Sequence, residues 1–266
     1  MMYILIIMGI FLVWLIVEAQ LFRVKHIKIK SKKVSSGINI VFISDIHYGK
    51  FYLFNRLEKI VNRINMLEPD IILVGGDLFE NSKDSKVNLK KLEVLFFNIA
   101  KLKAKYGILA VLGNHDYYLG DDLEKLMLEF NKHNITLLKN DSNTLKIRNE
   151  NIGVFGTDDF QEGKIHYDNY NLKEDIFRII VSHNPDVFEN IDLAFDLGLS
   201  GHTHGGQINL FGVFAPISES DYGQKYVKRM NKKGGTTIIT SKGSGCSMLP
   251  FRFFSLPEII NIKITK

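Results

Sequence analysis

From Ile38 onward, short uninterrupted apolar runs alternate with stretches whose apolar residues recur every three or four positions. The run Ile38-Asn39-Ile40-Val41-Phe42-Ile43 is β-branched and aromatic, and it reads as a buried strand. Phe54 to Met66 follows with Leu57, Ile60, Val61 and Ile64 at helical spacing, and Pro69 closes it. Asp70 to Val74 predicts a second strand. Leu89 to Lys103 predicts a second helix with Leu92, Leu95, Phe96, Ile99 and Leu102 inward, and Ile108 to Leu112 a third strand. Asp122 to Asn131 predicts another helix. Ile135 to Leu138, Thr144 to Ile147 and Ile152 to Phe155 are shorter strands joined by polar turns such as Asn140-Asp141-Ser142-Asn143, which gives this half a more antiparallel character. Phe177 to Val181, Leu193 to Leu199, Thr236 to Thr240 and Glu258 to Thr265 complete the strands. The pattern predicts an α/β fold (α+β-like), with two packed mixed β-sheets flanked by helices.

The N-terminus follows a different pattern. Residues 1–17 carry no charged side chain, and Met2 to Val17 is apolar throughout. That length is at the short end of the roughly 17 to 25 residues that span a bilayer. A cleaved signal peptide is the rival reading. Against it, no Lys or Arg precedes the run, no twin-Arg occurs, and Glu18-Ala19-Gln20 makes a poor small-residue cleavage site. The expectation is an N-terminal transmembrane helix over residues 1–20, a basic juxtamembrane segment over 21–37 and a catalytic domain over 38–266. Arg23, Lys25, Lys28, Lys30, Lys32 and Lys33 all follow the apolar run closely. The positive-inside rule therefore places the chain as a single-pass protein of the inner (cell) membrane, with its catalytic domain facing the cytoplasm.

Composition narrows the chemistry. With 266 residues, 45% of them hydrophobic, the chain can bury a sizeable core. One cysteine, Cys246, excludes an internal disulfide and a thiolate cluster, so any metal site must use His, Asp, Asn or Glu. The net charge of +5 is mild. Lys101-Leu102-Lys103-Ala104-Lys105, Lys228-Arg229 and Lys232-Lys233 lack an aromatic stacking platform, so no nucleic-acid partner is expected.

Five clusters of metal-ligand residues each follow a strand-like run: Asp45-Ile46-His47, Gly76-Asp77, Gly113-Asn114-His115-Asp116, Ser182-His183-Asn184 and Gly201-His202-Thr203-His204. Ligands in layered α/β folds bind at the C-terminal edges of strands, so one site can gather them all. Oxygen and imidazole donors suit divalent ions such as Mn, Fe or Zn. Five clusters exceed the needs of one ion. Two ions about 3.5 to 4 Å apart, sharing a carboxylate, hold both the attacking and the departing oxygen in phosphoryl displacement.

In this order, the five motifs resemble the calcineurin-like metallophosphoesterase family, over residue 38 to the C-terminus, and no core motif position departs from its pattern. The resemblance implies the metallophosphoesterase sandwich and two divalent metal ions, with Mn favoured. One ion would be held by Asp45, His47, Asp77 and His204, the other by Asp77, Asn114, His183 and His202, with Asp77 as the bridge. It also implies that His115 is a non-ligand histidine that protonates the leaving oxygen or stabilises the transferring phosphate, with Asp116 orienting it. Arg252 either holds a phosphate as a substrate-binding residue or forms a surface salt bridge. Phe251, Phe253 and Phe254 read as core, with an acyl-chain groove or membrane contact as the alternative. The Gly201 to Gln207 and Gly243 to Phe254 stretches look like a small bacterial membrane-associated branch, which implies a membrane partner and a lipid-linked phosphate substrate. The favoured substrate is UDP-2,3-diacylglucosamine, cleaved to UMP and lipid X in lipid A biosynthesis. A phosphodiesterase for soluble nucleotide or cell-envelope substrates, or an inactive binding module, would use the same fold.

Overall fold

The apolar runs become strands and the three-four spacings become helices. The computed structural model describes every residue except Lys50, Phe51, Phe54 and 81–88, so the expected helix start at Phe54 lies outside the described residues. In chain order the elements are α1 (Met2–Gln20), β1 (Arg23–Lys30), β2 (Ile38–Ile43), α2 (Arg56–Asn65), β3 (Ile71–Gly75), α3 (Leu89–Ile99), β4 (Gly107–Val111), α4 (Asn114–Tyr117) and α5 (Leu123–Lys132). The second half continues with β5 (Ile135–Leu137), β6 (Asp141–Ile147), β7 (Glu150–Gly156), β8 (Phe177–Val181), α6 (Val187–Asn190), β9 (Leu197–Ser200), β10 (Met230–Lys233), β11 (Thr236–Thr240) and β12 (Glu258–Thr265).

Two six-stranded sheets result, in the orders β1-β12-β2-β3-β4-β5 and β10-β11-β9-β8-β7-β6. Successive strand residues point to opposite faces. Ile40 and Phe42 therefore meet Val154, Ile179, Val181, Leu199 and Ile239 between the sheets. Val41 and Ile43 face outward, where Ile60, Ile64, Leu95, Phe96 and Phe130 of α2, α3 and α5 cover them. The second sheet is covered on its outer face by Val187 and Phe188 of α6 and by Leu172 and Tyr226.

The second half is less antiparallel than its polar turns suggest. β7, β8, β9 and β11 run parallel, and only the edge pairs β6–β7 and β10–β11 are antiparallel. The turn signals are real but belong to the edges, because the long connection from β7 to β8 and the α6 connection from β8 to β9 are crossovers. Asp141 to Asn143, which read as a turn, already belong to β6. The basic stretch supplies an edge strand of the first sheet: β1 pairs in parallel with β12 from Arg23 to Lys30, with Ile27 buried and Lys25, Lys28 and Lys30 exposed. Charged side chains along an edge strand discourage pairing with another chain. α1 is long and apolar enough to cross a membrane, a property that anchors and signal sequences share.

Phe42 is fully buried between the sheets, and its ring occupies the space that a side chain at position 75 would need, where Gly75 has none. Phe42→Ala is expected to lower unfolding stability by about 3–5 kcal/mol. Urea denaturation of the detergent-purified chain measures it, and a loss below about 1 kcal/mol would mean that the sheets collapse onto the cavity.

Candidate metal centre

The strands β2, β3 and β4 of one sheet and β8, β9 and β11 of the other end at a common edge, where their loops are stitched together by backbone hydrogen bonds. Asp45 N–H donates to Gly76 O and His47 N–H to Asp77 O, each at 3.0 Å. The loop after β9 crosses to the first sheet, where His202 N–H donates to Asp45 Oδ1 at 2.8 Å. The loop after β11 does the same through Ser244 N–H to Ser44 O (3.0 Å) and Gly245 N–H to Asp45 O (2.7 Å).

This stitching leaves little freedom to the ligand residues themselves. Asp45, His47, Asp77, His202 and His204 all hold positive φ, at 50°, 44°, 52°, 68° and 51°. Such left-handed backbones cost non-glycine residues about 1–3 kcal/mol each and persist only where surrounding contacts over-determine them. Two neighbouring glycines make the approach possible. A Cβ at Gly113 would overlap the Asp77 carboxylate, and one at Gly201 would overlap that of Asp45.

All seven residues expected to hold metal are buried, and the side chains of Asp45, His47, Asp77, His183, His202 and His204 contact one another. Asp77 Oδ2 lies 3.4 Å from His47 Nε2 and 3.2 Å from His183 Nε2, between the two halves of the cluster. On one side, His204 Nε2 is 3.0 Å from His47 Nε2 and 3.5 Å from Asp45 Oδ1. On the other, His202 Nδ1 is 3.3 Å from His183 Nε2. Asp77 Oδ1 accepts the His115 N–H at 2.9 Å, which leaves Oδ2 facing the His47 and His183 rings. Asn114 donates through Nδ2 to Tyr118 Oη at 3.3 Å, and its buried Oδ1 has no hydrogen-bond partner among the described residues; Asp45 Oδ2 is in the same position. Buried acceptors without donors are rare and costly. Here they are the atoms that two cations would complete, and the donor set fits divalent ions of the Mn, Fe and Zn type.

The electrostatics agree with that fit. Burial pushes the pKa of His202 down to about 3, with His183 adding to the effect, and burial, His47 and Arg252 hold His204 well below the ordinary range. Both imidazoles are thus neutral, as metal binding requires. Burial opposes charge on His183, yet Asp77 and Asp45 overcome it and hold its pKa well above the ordinary value. A cation held beside these carboxylates would take the place of that proton.

His115 differs from the seven. It is half-exposed, its ring sits edge-on to His47 with centroids 4.7 Å apart, and Nε2 lies 3.5 Å from Ser247 Oγ. Asp116 does not serve as its orienting partner. Asp116 Oδ2 accepts the N–H groups of Asp77 and Gly113, each at 2.9 Å, and Oδ1 accepts those of Leu78 (2.9 Å) and Phe79 (3.4 Å). In the first turn of α4 the side chain folds back to the cap residue, so this carboxylate ties the loop after β3 to the loop after β4.

Arg252 is also corrected. It is fully buried, so it neither faces a phosphate nor forms a surface salt bridge. Nη1 donates to the carbonyls of His204 (3.2 Å), Lys242 (2.6 Å) and Ser255 (2.9 Å), while Nη2 donates to Gly245 O and lies 2.9 Å from His204 Nδ1. Phe254 is exposed and Phe251 and Phe253 are half-buried, which removes the core reading of these aromatics.

Sequence reasoning missed Glu80 and Ser247. Glu80 Oε2 lies 2.7 Å from His47 Nδ1, and Glu80 Oε1 accepts the Met248 N–H at 3.2 Å. A carboxylate behind a metal-facing imidazole fixes the ring and raises its basicity. Its only trace in the sequence is its place three residues after Asp77. Glu80→Ala is expected to weaken metal affinity by about 10–100-fold while the fold survives. Isothermal titration of metal into the chelator-stripped variant, with circular dichroism as the folding control, reads this directly. Unchanged affinity would remove Glu80 from the centre.

Comparison with known proteins gives the same picture. The profile for calcineurin-like phosphoesterases matches residues 38–206. The chain is 32% identical over 228 residues to the metallophosphoesterase YkuE of Bacillus subtilis, spanning 84% of this chain and 77% of that protein. It is 28% identical over 252 residues to a metallophosphoesterase of Helicobacter pylori, spanning 91% and 64% respectively. It is 29% identical over 240 residues to phosphodiesterase YaeI of Escherichia coli, spanning 88% and 84%. Among solved structures, NAD nucleotidase (NadN) of Haemophilus influenzae superposes with a TM-score of 0.51 at 12% identity, over 78% of this chain and 45% of that one, a likeness of fold. The chain therefore belongs to the calcineurin-like phosphoesterase family, and its chemistry is metal-dependent phosphoester hydrolysis.

Proposed function

We propose that this chain is a membrane-anchored hydrolase that cleaves a phosphodiester or pyrophosphate in a lipid-linked substrate, with UDP-2,3-diacylglucosamine as the first substrate to test. The observation that carries the reading is the path through Arg252. Its backbone N–H donates to Leu15 O of α1 at 3.1 Å, while its guanidinium donates to the carbonyl of His204. The metal centre thus sits at the foot of an apolar helix, where a substrate held in a bilayer is concentrated.

Asp45, His47, Asp77 and His204 would hold one cation, and Asp77, Asn114, His183 and His202 the other, with Mn favoured for both. When bound, the pair acts as a Lewis acid and clamps the attacking and departing oxygens. The chain's own residues supply the rest. The His115 N–H keeps Asp77 aimed with Oδ2 inward, and Glu80 sets the His47 ring. The half-exposed His115 imidazole protonates the leaving oxygen, with the Ser247 hydroxyl beside it. A diesterase for soluble nucleotide or cell-envelope substrates is the second reading, favoured by the name of the Escherichia coli relative.

Chelation should abolish hydrolysis, and Mn should restore it more fully than Fe or Zn. The restored enzyme should release UMP from UDP-2,3-diacylglucosamine with a higher kcat/KM than it shows for bis-p-nitrophenyl phosphate. Cleavage of the soluble diester without UMP release would favour the second reading. His115→Ala should lower kcat by about 10²–10⁴-fold with both metals retained in elemental analysis. Loss of metal in that variant would make His115 a ligand instead.

The basic residues from Arg23 to Lys33 support a cytoplasmic catalytic domain. Protease should then digest it in inside-out vesicles and spare it in right-side-out ones. The opposite pattern would reverse the topology.

A further inference from the structure

Large apolar side chains are exposed singly on most proteins; an exposed contiguous group marks an interaction surface. Such a group lies at the rim of the metal centre. Phe211, Val213 and Met248 are 77%, 74% and 76% exposed, and Phe214, Leu249 and Phe254 are exposed beside them. The two loops that carry them form one surface: Asn209 N–H donates to Phe253 O at 2.8 Å, and Gln207 Nε2 donates to Ser247 O at 3.1 Å. Their aromatic rings make a line, with Phe211 and Phe254 centroids 5.2 Å apart, Phe254 and Phe253 4.5 Å apart, and Phe253 and Phe11 of α1 5.4 Å apart. Phe211, Met248 and Phe254 also hold positive φ, at 56°, 59° and 51°. These unfavourable backbones occur at side chains that the folded body does not cover.

The contact with α1 identifies the occupant. Arg252 N–H bonds Leu15 O and Ser255 N–H bonds Glu18 Oε1, so the loop runs alongside the helix from Glu18 toward Phe11. At about 1.5 Å per residue, Phe11 lies roughly 13 Å from the Gln20 end of α1. The whole helix is about 28 Å long by the same rise, against a hydrocarbon layer of about 30 Å. A helix of this length that crosses the layer has no spare turns outside it. Whatever packs on Phe11 is therefore carried below the lipid surface. Headgroups would then lie near the exposed Arg23 and Lys25, just past the helix end.

We propose that the surface formed by Phe211, Val213, Phe214, Met248, Leu249 and Phe254 is a wedge inserted into the bilayer beside α1, so that the metal centre opens onto the lipid layer. The proposal rests on the reading of α1 as a membrane anchor. Ser247, one residue from the wedge, stands 3.5 Å from His115, and Met248 N–H is held by Glu80. A phosphoester carrying acyl chains reaches the centre without leaving the membrane.

The chain has a single tryptophan, Trp14 in α1, which allows a depth measurement on the full protein. The wild type and the W14F/V213W and W14F/M248W variants are reconstituted in phosphatidylethanolamine–phosphatidylglycerol liposomes that contain lipids brominated at shallow or deep acyl positions. The expected result is that Trp14 loses most of its fluorescence to bromolipid, and that the V213W and M248W probes shift to the blue and are quenched by bromolipid as well. If Trp14 is quenched and both loop probes are not, the wedge is overturned while the anchor stands. If Trp14 is unquenched too, both fall. Loop probes shielded from aqueous acrylamide but untouched by bromolipid would mean that a second copy of the chain covers the surface, which also overturns the proposal. Bromolipid quenching does not depend on hydrolysis, so none of these outcomes bears on the phosphoesterase reading itself.

Discussion

The structure depends on holding the carboxylates of Asp45 and Asp77 together with four imidazoles in one buried cluster. Buried like charges are unfavourable unless compensated, and divalent cations held by these residues would meet that need. The surrounding architecture serves this requirement. Five ligand residues take left-handed backbones, and glycines at 113 and 201 allow the carboxylates to approach. Two buried charges then brace the loops from opposite sides. Asp116 gathers four backbone N–H groups from the loops after β3 and β4. Arg252 gathers four carbonyls from the segments around His204, Lys242, Gly245 and Ser255. Each charge meets the backbone pole of opposite sign, so neither is left without partners.

The same braces link the centre to the rest of the molecule. Arg252 touches α1 through its backbone and His204 through its side chain, and Arg56 donates from α2 to Leu21 O, just past α1, and to Ser244 O. The helix end is thereby packed against the loops that shape the site rather than joined to them by a free tether. The segment from 211 to 226 is pinned as well. Asp186 accepts from Ser220 Oγ and Asp221 N–H, Gln224 exchanges two hydrogen bonds with Ala215, and Tyr226 donates to Glu189. The apolar tip at Phe211 to Phe214 stands out from a segment that is held at its base.

Much of this was legible in the chain. Strand positions followed from runs such as Ile38 to Ile43, because side chains buried on both faces leave a continuous apolar signature. That Asp45, His47, Asp77, Asn114, His183, His202 and His204 would be carried to one edge was legible because each follows such a run, and parallel strands deliver their ends together. Partner choice was not legible. Asp116 and Arg252 read as chemistry because charged residues next to a motif look available to substrate, whereas burial turned both toward backbone groups. Glu80 stayed hidden because its link to His47 comes from the fold of one loop and carries no motif of its own. The parallel core of the second sheet escaped for a related reason: turn signals record how neighbouring strands are joined at the edges, while crossover connections decide the centre.

The sequence by itself determined the two-layered α/β fold, the apolar helix at the N-terminus and the list of residues able to bind metal, since periodicity and residue chemistry are local properties. The tertiary structure alone decided which charge faces which partner. It turned Asp116 and Arg252 into internal braces, placed Glu80 behind His47, and left Phe211 and Met248 outside the core. Burial and hydrogen-bond pairing join segments that lie far apart along the chain, and only the folded chain brings them together.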